Sequence, residues 1–355
     1  MRALYFERHG GPEQLALGVR PQPAVAAGEV VVRLRAAALN HLDLFVLGGM
    51  PGVSIELPHI GGADGAGTVA AIGDGVSRWS PGDEVVINPG LSCGRCEFCA
   101  GGEESMCVGF RIFGEHLDGT FAEYVRVPAT ALAAKPAHLS WAEAGAFGLT
   151  FLTAWRMLIT RARLGAGESV LIHGIGGGVA LAALAIARDA GATAIVTSSD
   201  DGKLARAREL GAAHAINYRS ADVAREVRAL TGKRGVEVVV ETAGLATWMT
   251  SLKCAAKGGR IVTCGATTGP NPAEEIRLVF WNQLSILGST MGSRREWEAM
   301  VRAVDAGRLR PVVDRVLPLE RGREAYERML TGDQFGKIVL DVAGAAAGQS
   351  GPGEP

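Results

Sequence analysis

The apolar positions of this chain fall into two regimes. Over the first third they gather in short β-branched runs at 30–36, 67–72 and 83–87, set off by glycine and proline clusters such as Ser80-Pro81-Gly82-Asp83. Runs of that length between turn residues predict strands, and 121–127 resumes the same character, so this third reads as a mostly β domain. From about Leu149 the pattern changes. It predicts strands over 169–172, 194–197, 236–241, 259–264 and 285–288, alternating with helices over 179–189 and 203–210. Such alternation argues for an α/β architecture, a doubly wound parallel sheet with helices on both faces. A helix over 295–306 and a strand over 336–342 follow, and the small residues of 343–355 predict a disordered tail.

Composition narrows the function without naming it. At 355 residues, 48% of them hydrophobic, the chain is long enough for two domains with sizeable cores. A formal net charge of -1 gives no reason to expect nucleic acid or an anionic membrane as partner, and a small-molecule substrate fits better. The amino terminus, Met1-Arg2-Ala3-Leu4-Tyr5-Phe6-Glu7-Arg8, has no long apolar run, so the expected location is cytoplasmic. One segment, 170–187, approaches the length of a membrane span. The glycines at 174, 176, 177 and 178 make a strand, a tight turn and a buried helix the better account.

The strongest local signal is Cys93, Cys96, Cys99 and Cys107, spaced C-x2-C-x2-C-x7-C. Four thiolates converging on one point make a closed tetrahedral zinc site. Two disulfides would need an oxidising compartment and strained local bridges. All four thiols are then used, no position stays open for substrate, and the predicted zinc is structural. Cys254 and Cys264, outside the cluster, read as small buried hydrophobes.

Between predicted strand and helix lies His173-Gly174-Ile175-Gly176-Gly177-Gly178-Val179-Ala180. A glycine turn there lets backbone N–H groups and a helix N-terminus approach a pyrophosphate. The next strand ends Thr197-Ser198-Ser199, where an NAD site would place an acid for the ribose 2′-hydroxyl. Asp200 and Asp201 come slightly late and are candidates to cap the following helix. Ser199 with Lys203 would accept a 2′-phosphate, so NADP(H) is favoured over NAD(H).

With these pieces in hand, the sequence resembles the medium-chain dehydrogenase/reductase superfamily, the zinc-type alcohol dehydrogenases and quinone oxidoreductases. The motifs are 61–69 (Gly-Gly-Ala-Asp-Gly-Ala-Gly-Thr-Val), Pro81-Gly82-Asp83-Glu84-Val85, the four cysteines, 149–155 (Leu-Thr-Phe-Leu-Thr-Ala-Trp) and Phe335-Gly336-Lys337-Ile338-Val339. The resemblance implies a GroES-like catalytic domain built from both chain ends, 1–149 (with the zinc loop at 93–107) and 293–342. A Rossmann domain over 150–292 would lie between them in sequence, with the active site in the cleft. Catalytic zinc in this superfamily is held by a Cys, a His in Gly-His-Glu and a later Cys or acid. Motif against motif, Asn40 stands for the first Cys, Ala63 for the His, Asp64 for the Glu and Leu149 for the last ligand.

Asn40, Asp43 and Leu149-Thr150 look instead like the zinc-independent quinone oxidoreductase branch. Its NADPH pattern matches Ser199, Lys203, Tyr218 and Lys337, beside Gly174, Gly176, Gly177, Gly178 and Val179 of the turn. The leading expectation is NADPH-dependent hydride transfer to a quinone, enone or activated carbonyl, with Asn40 and Thr150 orienting the reactants. For Asp43 a proton relay and a purely structural turn role stand open together. Two other classes compete: an alcohol dehydrogenase with a rebuilt metal site drawing on Asp64, His41 or His59, and a non-enzymatic nucleotide-binding protein. The apolar strand at 284–289 is expected at a sheet edge, where a two-fold mate would give a homodimer.

Overall fold

The computed structural model describes residues 1–50 and 52–344, and most of the expected tail at 343–355 lies outside them. The chain divides into two units, one formed by 1–149 with 311–355 and the other by 150–310.

The first unit is built on a mixed seven-stranded sheet. Its order is Leu132–Ala134, Glu84–Ile87, Asp64–Ile72, Glu29–Ala38, Lys337–Asp341 and Val313–Pro318, with Tyr124–Pro128 also pairing Glu29–Ala38. A three-stranded sheet of Leu15–Val19, Arg2–Phe6 and His59–Ile60 accompanies it. In Glu29–Ala38 the residues Val30 to Val32 and Ala36 to Ala38 are buried, while Arg33 is exposed and Arg35 half-buried between them. Its core includes Leu34, Leu39, Ile60, Phe121 and Tyr326. Close packing requires small residues here: a Cβ on Gly67 would lie 2.1 Å from the Arg33 carbonyl oxygen, beside a register shift between Leu34 and Ala36.

The second unit is a six-stranded sheet whose strands are all parallel. Across it run His214–Asn217, Thr193–Ser198, Ser169–Ile172, Val236–Glu241, Ala255–Thr263 and Ser285–Gly288, the doubly wound order 3-2-1-4-5-6. The strand from Ser169 and the helix Gly178–Asp189 account for the long apolar segment, and among the described residues no helix is long and apolar enough to cross a membrane. The return to the first unit falls between Arg310 and Pro311, where the sequence suggested 293. The helix Arg294–Asp305 explains the difference. It belongs to the second unit, where Glu296 forms a buried ion pair with Arg156 at 2.8 Å.

Candidate functional site

In the first unit, register brings the matched motif residues together. Asp64 pairs with Ala38 on one side of the central strand, and Val339 pairs with Ala38 on the other. Running two residues further along each antiparallel strand sets Asn40 opposite Lys337 with side chains on a shared face. The Lys337 ammonium donates to Asp64 Oδ2 at 2.9 Å and to Asn40 Oδ1. Asn40 Nδ2 donates to the same Asp64 oxygen at 3.0 Å, and the Leu149 N–H donates to Asp64 Oδ1 at 2.6 Å. Both side chains of the ion pair are buried, Asp64 at 0% exposure and Lys337 at 5%. Lys337, which the resemblance assigns to the dinucleotide, is paired here with Asp64.

Asn40 also precedes the helix His41–Gly48, and Asp43 at the third helical position accepts the Asn40 N–H at 2.6 Å, one half of a capping box. The other Asp43 oxygen accepts the Gly62 N–H at 3.0 Å, where Gly62 sits at φ +97°. Each Asp43 oxygen thus accepts a backbone N–H. Burial pushes its carboxyl up to about 7, against the pull of those two N–H groups and of Lys337. Tyr326 is raised well above its ordinary value, by burial and then by the nearby Asp43. His41 lies exposed with its ring 5.4 Å from Phe45, and buried His59 bonds the Gly114 carbonyl at 3.0 Å. Thr150, the residue after Leu149, is buried, and its hydroxyl has no hydrogen-bond partner among the described residues.

The cysteine loop has the geometry its spacing predicts. The four Sγ atoms all lie within 4.8 Å of one another, with Cys96 and Cys99 3.5 Å apart and Cys93 and Cys99 3.9 Å apart. Zinc–sulfur bonds of about 2.3 Å in a tetrahedron require sulfur separations of roughly 3.8 Å, so the cluster fits the ion. Gly94 and Gly102, both at positive φ, turn the chain so that the thiols converge. The Cys107 sulfur accepts N–H groups from Cys93 and Gly109, both at 3.3 Å. Of the two remaining thiols Cys254 is buried and Cys264 half-buried.

In the second unit, Gly174 and Gly176 take φ values of +65° and +117°, and Gly177 caps the helix Gly178–Asp189. The parallel pairing of Ser198 with Asn217 sets Ser199 and Tyr218 at adjacent strand ends. Lys203 lies in the first turn of the helix Asp201–Glu209. The acids that could have competed for a ribose are engaged: Asp200 Oδ1 accepts the Lys203 N–H and Asp201 Oδ1 accepts Asn217 Nδ2, both at 2.8 Å.

A mixed β unit carrying a four-thiolate loop, joined to a 3-2-1-4-5-6 dinucleotide fold, defines a class of nicotinamide-linked oxidoreductase. The alcohol dehydrogenase GroES-like domain family matches residues 26–137, and the zinc-binding dehydrogenase family matches 178–306. The zinc-type alcohol dehydrogenase-like protein C1773.06c of Schizosaccharomyces pombe is 34% identical over 325 residues, 89% of this chain and 91% of its own. The crotonyl-CoA carboxylase/reductase of Cereibacter sphaeroides is 33% identical over 358 residues, 92% of this chain and 83% of its own. A solved NAD-dependent alcohol dehydrogenase is 47% identical with a TM-score of 0.93, covering 97% of this chain and 100% of that one. The chain belongs to the zinc-type medium-chain dehydrogenase/reductase superfamily.

Proposed function

We propose that the protein reduces conjugated acceptors, an enone, a quinone or a related activated carbonyl, with NADPH and without a catalytic zinc. The observation that carries this reading is the Lys337–Asp64–Asn40 network. Both polar atoms of the Asn40 amide are engaged, Asp64 accepts three donors, and Ala63 and Leu149 offer only alkyl side chains. That donor set does not fit a tetrahedral metal. Lys337 instead holds a positive charge at the motif positions that carry metal ligands in zinc-dependent members. Reducing an isolated ketone concentrates charge on one oxygen, which a Lewis acid normally offsets. An extended acceptor spreads that charge into a delocalised oxyanion that hydrogen-bond donors can hold.

Bound at the glycine turn, NADPH would supply the hydride. Ser199 and Lys203 would hold the 2′-phosphate, with Tyr218 beside them. Thr150, whose buried hydroxyl has no partner among the described residues, would donate to the substrate oxyanion. Asn40 would act by holding Lys337 and Asp64 in register. The relative named a crotonyl-CoA carboxylase/reductase supports a conjugated acceptor, and the solved relative named NAD-dependent makes cofactor preference a point to measure. The test is a metal count beside turnover with 2-cyclohexenone, benzoquinone and crotonyl-CoA, using NADPH and NADH. One zinc per chain with chelator-resistant NADPH oxidation is expected. Two zincs with chelator-sensitive activity would overturn the zinc-free reading, and no turnover despite tight NADPH binding would favour a non-enzymatic role.

The protein is also proposed to be a homodimer. Ser285–Gly288 lies at the edge of its sheet with Ile286 40% exposed, and the preceding Phe280 and Trp281 are 61% and 73% exposed. An apolar parallel-sheet edge of this kind is completed by a two-fold copy of itself.

A further inference from the structure

Five groups of the second unit form one line of hydrogen bonds behind the glycine turn. His173, 4% exposed, directly precedes Gly174. Its Nε2 lies 3.1 Å from Ser251 Oγ and its Nδ1 3.3 Å from Thr197 Oγ1. Ser251 Oγ donates to Glu241 Oε2 at 2.7 Å, and the Gly174 N–H donates to Thr197 Oγ1 at 3.3 Å. The fully buried Glu241 also accepts the N–H groups of Ala243 and Gly244, at 2.8 and 2.9 Å, and the Thr247 hydroxyl at 2.7 Å.

Donor counting gives this line a direction. A hydroxyl has one proton to give, and Ser251 gives its proton to Glu241 Oε2, so His173 Nε2 must carry the hydrogen donated to Ser251. Burial holds the imidazole below its ordinary value, against the pull of Glu241, which keeps the ring neutral and makes Nδ1 an acceptor. Thr197 therefore donates to Nδ1, and its oxygen is left to accept from Gly174. The next amide, Ile175 N–H, bonds the Thr197 carbonyl at 2.8 Å. Both amides entering the turn are thus tied to Thr197, which stands two residues before Ser199. The helix Gly178–Asp189 starts directly after this turn.

We infer that His173 is a positioning residue for the dinucleotide. Acting through Thr197, it withdraws the Gly174 N–H from ligand binding and sets the turn in register with the strand end that carries Ser199. The inference rests on the reading of this turn as the dinucleotide site. Titration of the full chain with NADPH, followed by nucleotide fluorescence, tests it in wild type, Thr197→Val and Thr197→Ser. Thr197→Val removes the hydroxyl at nearly constant shape and should weaken binding about tenfold, the scale of one buried hydrogen bond. Thr197→Ser should restore most of that loss.

Wild type that binds NADPH alongside a Thr197→Val that binds equally well overturns the positioning role alone. Thr197→Ser binding as poorly as Thr197→Val assigns Thr197 to packing and overturns it too. Wild type that binds neither NADPH nor NADH overturns the dinucleotide reading and this inference with it. Should Thr197→Val fail to fold, nitrogen-15 spectra of the wild type decide. A neutral His173 bearing its proton on Nε2 is expected, and a proton on Nδ1 reverses the line and overturns the proposal.

Discussion

Lys337 and Asp64 stabilise the fold less by their presence than their separation would destabilise it. A buried pair recovers little more than its desolvation cost, whereas deleting one member strands the other, at about 3–5 kcal/mol. Lys337→Met should therefore lower unfolding stability by roughly 3 kcal/mol or more, and Lys337→Met with Asp64→Asn should recover part of it. Urea unfolding of the two variants checks this, and equal losses would place the cost in packing. Asp43 adds a pH signature. Its folded carboxyl, at about 7 against an ordinary 3.8, keeps its proton where the unfolded chain has released it. The unfolded state then binds fewer protons, so this group's contribution to stability falls as pH rises from about 4 to about 7. Asp43→Asn should lose that slope, and the urea midpoint of wild type should fall relative to the variant across the window. At this scale the sequence showed which residues stood at the motif positions but not their partners. Lys337 and Asp64 are 273 positions apart, and no local pattern marks a contact at that separation.

Some elements were legible from local pattern, whereas the strand His214–Asn217 and the helix Val223–Leu230 lie outside the expected ones. The strand Ser169–Ile172, its glycine turn and the helix Gly178–Asp189 follow from a long apolar segment broken by clustered glycines. The zinc loop follows from thiol spacing alone. Removing its metal or changing Cys96→Ser should lower the melting temperature and expose the 93–107 loop to protease before hydride transfer declines. Thermal unfolding and turnover measured together check this, and lost chemistry with unchanged melting would overturn a structural role. Harder to read was the helix Arg294–Asp305. Its amphipathic pattern announces a helix with one buried face but not which unit receives that face. The Arg156–Glu296 pair, 140 positions apart, is what ties it to the dinucleotide fold.

At the scale of the molecule, both chain ends contribute to one unit because Lys337–Asp341 pairs with Glu29–Ala38. The open edge at Ser285–Gly288 carries the remaining prediction. Light scattering should give twice the chain mass at micromolar concentration, and Ile286→Lys should shift it to monomer by placing charges against their own two-fold images. A monomeric wild type would remove the edge as an interface.

The sequence by itself determined what short-range chemistry can dictate: the change from a β-rich first third to alternating strands and helices, four converging thiols and a glycine turn. Each depends on residues close together or on a side chain's own donor atoms. Only the tertiary structure decided which partners Asn40, Asp64 and Lys337 find and what holds the turn. The Lys337 ammonium against Asp64, and the line from Gly174 to Glu241, arise where strands distant in sequence end side by side. Buried polar groups must find partners there, whichever segment supplies them.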